Sequence, residues 1–583
     1  MSPEPTAVDA RPAGWWKSAV VYQIYPRSFA DYNGDGMGDL PGILGKLDYL
    51  KQLGVDVVWL SPVYKSPQDD NGYDISDYHD IDPLFGSLAD LDAIIAGVHD
   101  RGMKLVMDLV VNHTSDEHQW FVESRDPASP KRDWYWWRPA RPGFEPGAPG
   151  AEPTGWKAAF GGSAWEFDER SGEYYLHIFS RKQPDLNWEN PSVRQAIYAM
   201  MRWWVDRGVD GFRMDVINLI SKPAELADTA PPEGQAYDAN FGSVMNGPRL
   251  DEFLAEMNRE VGLDEQHLIT VGETPGATIE VARSVTDPDR HELNMVFTFE
   301  HVSLDSQPGG IKWNLAELPL PVLKKNLADW QDGLADAGWN SLYWNNHGQP
   351  RAVSRFGDDS PEFRVVSAKT LGTVLHLHKG TPYVYQGEEL GMTNTYFTDI
   401  SQYQDLESVN YHAEALSLGL EAEAVLHSLS VKSRDNARTP MQWNDRSHAG
   451  FTEGIPWLPA NPNYVVVNAE AAVADPDSVF HHYRKLIALR HSNSVVVDGR
   501  FESLLPDHEA LWAFTRTGGG ASGEGMGGEG AQLLVLANFS REPLELPLGE
   551  LPDLTGATLL LGTHGAGSPT TLAPWESRIL QLA

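Results

Sequence analysis

The chain has 583 residues, 41% of them apolar, which allows a large buried core but is too long for one ordinary domain. Lys and Arg total 45 against 82 Asp and Glu, a net charge of −37 that opposes binding to nucleic-acid phosphates or to an anionic membrane surface. With no Cys, the sequence excludes disulfides, thiolate metal sites and a Cys nucleophile.

The N-terminal stretch 1–13 is polar and Pro-rich and reads as disordered, without the apolar segment of a secretory signal. No apolar run approaches the roughly 20 residues that span a bilayer, so the expectation is a soluble protein, most simply cytoplasmic. From residue 19, near-continuous apolar runs alternate with helical patterns. AVVYQIY (19–25), VDVVWL (55–60), KLVMDLVV (104–111) and DGFRMD (210–215) read as buried strands. HLITVG (267–272), NMVFTF (294–299), SLYW (341–344) and TPYVYQ (381–386) continue the series. Runs of this kind suit parallel strands covered on both faces. Between them, NPSVRQAIYAMMRWWVDRG is the best-marked helix, with Asn190 at the N-cap, Pro191 at N1 and Gly208 ending it. Eight alternations predict an α/β fold, a (β/α)₈ TIM barrel over 14–113 and 184–499.

Two stretches break the alternation. Residues 114–183, rich in Trp, Pro and Gly, are too long for a simple loop and predict a subdomain inserted after strand three. Residues 393–455 predict a long loop or helical excursion after strand eight. From about 500 to 583, short runs such as ALWAFTR and QLLVLANFS predict a C-terminal antiparallel β domain, a small sandwich. TGGGASGEGMGGEG (517–530) reads as a flexible hairpin connection and not a phosphate loop, since no GK[ST] follows.

Four segments, DLVVNH, GFRMDVIN, ITVGET and NNHGQPR, each end an apolar run on a polar residue, as a catalytic rim at the C-terminal ends of barrel strands would. Strand alternation puts Arg213 and Asp215 on one face. A cation beside a carboxylate holds it ionised, as a nucleophile needs, although a structural ion pair gives the same pattern. Glu273 ends its own strand, where partial desolvation suits a proton donor; a helix-capping acid is the plainer alternative. Two acids roughly 5 Å apart would signal retaining glycoside chemistry. DYNGDGMGD (31–39) sets Asp31, Asn33, Asp35 and Asp39, with the Met37 carbonyl, at a spacing that wraps a hard cation, or else forms a polar turn without metal.

These motifs, with QPDLNW and SRDNARTPMQW, resemble the α-amylase family of glycoside hydrolases, and within it the oligo-1,6-glucosidase and α-glucosidase branch. The resemblance implies a retaining enzyme, with Asp215 as nucleophile and Glu273 as general acid/base. It implies that Arg213, His113 and His347 clamp the terminal sugar, that Asp70 closes the pocket for exo action, and that Tyr73 stacks on the ring. Phe160 and Phe179 would form an apolar wall, and Arg438 a further pocket-lining residue. It also implies a structural Ca²⁺ in the 31–39 loop. The residue after the nucleophile is Val216, as in α-1,6-preferring members, where others have Thr or Ala; its stiff β-branched side chain could crowd an α-1,4 acceptor, or it is merely a good strand residue. One position departs: the family reads NHDQPR and this chain NHGQPR, so Gly348 stands where the third catalytic Asp is expected. The intactness of every other motif suggests a replaced acid rather than a drifted site. The leading expectation is therefore an exo-α-glucosidase acting on isomaltose-like substrates and slowed at Gly348. Its alternatives are a transglucosidase or sucrose-isomerising enzyme, and an inactive sugar-binding homologue. The partner expected is a small oligosaccharide, with no nucleic acid or membrane, on a monomer or homodimer.

Overall fold

The computed structural model describes residues 13–583 except 224, 229–236, 239–240, 519–529 and 566. The N-terminal stretch 1–12 and most of the glycine-rich connection therefore lie outside the described residues.

All eight apolar runs form strands: β1 (Val21–Ile24), β2 (Val57–Leu60), β3 (Lys104–Val110), β4 (Gly211–Asp215), β5 (Ile269–Glu273), β6 (Met295–Phe297), β7 (Ser341–Leu342) and β8 (Thr381–Tyr385). They pair in parallel in the order β6-β5-β4-β3-β2-β1-β8-β7, and a parallel bridge between Val296 and Asn340 brings β6 to β7. The sheet is a nearly closed TIM barrel. Its strands are buried on both faces, which is why their sequences show apolar runs and not alternation. Among the described residues, no helix is long and apolar enough to cross a membrane.

The helix Pro191–Arg207 has the expected ends. The Asn190 side chain accepts from Ser192 N, and Gly208 closes the helix at φ 111°, a left-handed conformation that costs glycine little. After β3, the chain leaves the barrel to make a three-stranded antiparallel sheet of Trp137–Arg138, Trp165–Asp168 and Glu173–Leu176. After β8, residues 406–432 make two helices, Leu406–Ser417 and Ala422–Lys432. Asn410 in the first donates to the Phe160 carbonyl at 3.1 Å, and Lys157 pairs with Glu414 at 3.1 Å, so this excursion is tied to the inserted segment over the barrel mouth.

At the C-terminus, β9 (Arg500–Leu504), β10 (Leu511–Thr517), β11 (Gln532–Asn538), β12 (Thr558–Gly562) and β13 (Ser577–Gln581) form an antiparallel sheet in the order β9-β10-β11-β13-β12. Period-two alternation divides its faces. Trp512, Phe514, Leu533 and Val535 pack with barrel-side residues such as Val374 and Leu486, whereas Leu511, Ala513, Leu534 and Leu536 pack beneath Leu546 and Leu572.

Candidate active site

The strand ends at the barrel mouth surround a cavity of about 280 Å³. Arg213 lies beneath it on β4, 1% exposed, 5.2 Å over the Trp59 ring. Its Nη1 donates to Asp108 Oδ1 at 2.6 Å and to Asp215 Oδ1 at 2.7 Å, and its Nη2 lies 2.7 Å from Glu273 Oε1. One guanidinium thus holds three carboxylates from β3, β4 and β5. The register explains this: Asp108 stands opposite Arg213 on adjacent parallel strands, and Asp215 and Glu273 are the last residues of theirs. Burial first, and the neighbouring Glu273 charge second, push the Asp215 carboxyl well up against the pull of Arg213. Burial likewise lifts Asp108 to about 6.

Val216 follows Asp215 at φ 36°, ψ 42°, a left-handed conformation that is a genuine outlier for a β-branched residue. The turn aims the Val216 N–H at Glu273 Oε2, 3.1 Å away, so backbone strain at the end of β4 helps hold the second acid.

Two neutral imidazoles flank this trio. Burial drives His347 well below its ordinary value and His113 to about 4. His347 Nδ1 lies 2.8 Å from Gln23 Nε2, its Nε2 lies 2.8 Å from Tyr73 Oη, and Tyr73 Oη donates to Asp108 Oδ2 at 3.3 Å. This chain fixes the Tyr73 ring at the cavity wall. Gln183 Nε2 reaches both His113 Nε2 at 3.2 Å and Asp70 Oδ2 at 3.1 Å. The other Asp70 oxygen, Oδ1, is buried without a hydrogen-bond partner, and burial raises this carboxyl to about 7 despite Arg434 nearby. Asp70 Oδ1 is therefore an unmet acceptor on a residue that lines the cavity.

Of the catalytic and sugar-binding residues expected from sequence, all but Arg213 and Arg438 line the cavity, Gly348 among them. The Arg438 expectation needs correction. Its Nε donates to the His347 carbonyl at 3.0 Å and its Nη1 lies 3.5 Å from Asp405, which places it behind the wall. Arg434, one helical turn earlier, takes the lining position, paired with Asp405 at 2.5 Å, with Glu407 at 3.5 Å and with Asp70 at 3.8 Å. Lys312 and Glu407, paired at 2.6 Å, line it too and carried no sequence signal, since each sits on a connecting segment whose course only the fold reveals. The 31–39 loop lies elsewhere. The side-chain oxygens of Asp31, Asn33, Asp35 and Asp39 accept backbone N–H groups of the loop and its flank. Among the described residues, no three His, Cys, Asp or Glu side chains are grouped as a metal would need.

The Asp70 geometry predicts a trade-off. An acid whose folded-state value is raised costs stability as pH climbs from its unfolded value near 4 through about 7. Asp70→Asn should therefore raise Tm at pH 8 and not at pH 4, while weakening sugar affinity at least about tenfold through the lost charged acceptor. Thermal melts at the two pH values and a binding titration check both halves.

The family description "Alpha amylase, catalytic domain" matches residues 23–499. The chain belongs to the α-amylase family. Among its relatives, an oligo-1,6-glucosidase of Parageobacillus thermoglucosidasius is 54% identical, covering 97% of this chain and 99% of that protein. A trehalose-6-phosphate hydrolase of Bacillus subtilis is 47% identical over 97% of this chain and 98% of that one. Among solved structures, an isomaltulose synthase from a Klebsiella species superposes with a TM-score of 0.90 at 40% identity, covering 98% of this chain and 100% of that chain. This α-amylase family member is a glycoside hydrolase of the oligo-1,6-glucosidase and α-glucosidase type.

Proposed function

We propose that this chain is an exo-acting, retaining α-glucosidase that removes glucose from the non-reducing end of short α-1,6-linked oligosaccharides, with Gly348 slowing the reaction. One observation carries the reading: Asp215 and Glu273, from adjacent strands, share one guanidinium at the floor of a small cavity. Asp215 and Glu273 stand side by side on one guanidinium, the paired carboxyls that retaining chemistry uses. Glu273 gives a proton to the glycosidic oxygen while Asp215 attacks the anomeric carbon; the leaving sugar departs, and Glu273 then takes a proton from water that releases glucose. Arg213 stays charged throughout and holds both acids in place. Asp70 and Arg434 line the cavity, with Gln183 bonded to Asp70, and this polar cluster supports the reading that a terminal sugar is held there.

A sugar phosphate fits less well. The cavity's cations, Lys312 and Arg434, are already paired with Glu407 and Asp405, so a phosphate would meet a wall without a free positive charge among the described lining residues.

Linkage is tested at Val216. Val216→Thr, in a chain carrying Asp at 348, should lower the isomaltose-to-maltose ratio of kcat/KM by about tenfold, which is ~1.4 kcal/mol of discrimination. An unchanged ratio would remove Val216 from the account of specificity.

A further inference from the structure

Strand β1 is apolar except for one amide, Gln23, which is 1% exposed. A polar side chain in a barrel core costs free energy unless its atoms are bonded, and the bonds of Gln23 are specific. Its Nε2 lies 3.1 Å from Ser61 Oγ, just beyond β2, and 2.8 Å from His347 Nδ1, beyond the end of β7.

An amide and a hydroxyl can each be turned either way, so the direction of these bonds follows from the far end of the chain of contacts. Asp108 fixes that end. Its Oδ1 takes Arg213 Nη1 at 2.6 Å and its Oδ2 takes Trp59 Nε1 at 2.9 Å, the setting of an ionised carboxylate, which only accepts. Tyr73 Oη, 3.3 Å from Asp108 Oδ2, must then spend its proton there, since two bare oxygens so close repel. The 2.8 Å contact between Tyr73 Oη and His347 Nε2 therefore takes its proton from the ring. A neutral imidazole protonated on Nε2 has a bare Nδ1, and Gln23 meets it with an N–H.

The surroundings favour the neutral ring. His347 stacks with both Tyr25 and Tyr73, at interplanar angles of 10°, and stands edge-on to Trp59. The charged groups around it are Arg213 on β4, Arg434 and Arg438 on the turn after β8 with their partner Asp405, and Asp108 beyond Tyr73. Burial first, and the three guanidiniums next, hold the ring well below its ordinary value.

We propose that Gln23 is a positioning residue, whose amide N–H locks His347 as the neutral tautomer carrying its proton on Nε2. Two consequences follow for the catalytic cavity, which His347 and Tyr73 both line. The histidine proton points toward Tyr73 at the cavity wall and not back into the barrel. Asp215 and Glu273 keep Arg213 as their cation without a charged imidazole beside it, and a further cation would favour their ionised forms and draw the acid's proton away. What the locked ring serves rests on the glucosidase reading; the tautomer itself does not.

Ring-nitrogen NMR of the isotope-labelled full chain reads the tautomer without substrate, with His347 assigned by the signals lost in His347→Gln. A protonated Nε2 and a bare Nδ1, unchanged from pH 5 to pH 8, is the expected result. Gln23→Glu puts a carboxylate against Nδ1 and should bring a His347 titration into that range. In the Gly348→Asp chain the same substitution should lower kcat on isomaltose about tenfold and add this ionisation to its pH profile. Gln23→Met, of similar length and uncharged, should leave the ring neutral and let both tautomers appear. A His347 protonated on Nδ1 in the parent, or a single unchanged tautomer in both Gln23 variants, overturns the proposal. The expected spectra in a chain that hydrolyses no α-glucoside even as Gly348→Asp would support the lock on His347 and overturn the glucosidase reading instead.

Discussion

Gly348→Asp should raise turnover of isomaltose by about 10³-fold, since hydrogen bonds to the sugar 2-hydroxyl that strengthen in the transition state supply several kcal/mol and each ~1.4 kcal/mol is tenfold in rate. The local geometry admits the change. Gly348 lines the catalytic cavity, and its backbone is not in the left-handed region. A Cβ there would meet Asn346 Oδ1 at 3.2 Å and Arg434 Cδ at 3.9 Å. The first contact is tight, but it is with a side-chain oxygen that already folds back to accept the Gly348 N–H at 2.7 Å and can give by a few tenths of an ångström. The new carboxylate would join Asp215 and Glu273 on the cavity wall, where it could accept from a sugar hydroxyl. Ground-state affinity should change far less than kcat, because the missing interaction belongs to the transition state. Steady-state kinetics on isomaltose separate the two. A gain in affinity with no gain in kcat would assign Gly348 to binding and leave the third acid unneeded.

Arg213→Met should be the most destabilising single change in the pocket. It leaves Asp108, Asp215 and Glu273 without their shared cation, and breaking one buried ion pair alone costs roughly 3–5 kcal/mol. The loss should depend on pH with a definite sign. Asp108 and Asp215 already have raised values, and removal of Arg213 raises them further. The folded chain then binds more protons than the unfolded one above pH ~4, so stability falls as pH rises through the raised values. Below about pH 4 both states are protonated and the gap between variant and parent should narrow. Urea melts of the two chains at pH 4.5 and pH 7.5 read this directly. An equal deficit at both would mean that packing over Trp59, and not charge, is what Arg213 contributes.

Much of the barrel is legible in the sequence because a strand buried on both faces must be apolar nearly throughout. That alone locates all eight strands, down to β7, whose ladder is only Ser341–Leu342. Asp215 and Glu273 are legible because each is the acid that ends such a run. Asp108 carried a comparable signal, a lone acid inside KLVMDLVV, but no sequence rule tells a buried ion-pair partner from a strand's surface edge. Gln23 is a similar case, a single amide in AVVYQIY that proves to hold His347. The choice between Arg434 and Arg438 could not be made from spacing. Both lie on one short turn, and only its direction relative to His347 decides which faces the cavity. Lys312 and Glu407 come from segments separated by strands β7 and β8, so their pairing belongs to tertiary structure alone. The strain at Val216 was also invisible, since valine is the residue least expected at a positive φ.

In the proposed reaction, Asp215 donates an oxygen lone pair to the anomeric carbon and Glu273 is its proton partner. The most direct measurement is covalent trapping: the Gly348→Asp chain is incubated with an α-glucosyl fluoride carrying a second, electron-withdrawing fluorine on the ring, digested, and mapped by mass spectrometry. One glucosyl adduct on the peptide that contains Asp215, absent in Asp215→Ala, is the expected result. An adduct on Glu273, or no adduct together with inverted anomeric product, would contradict it.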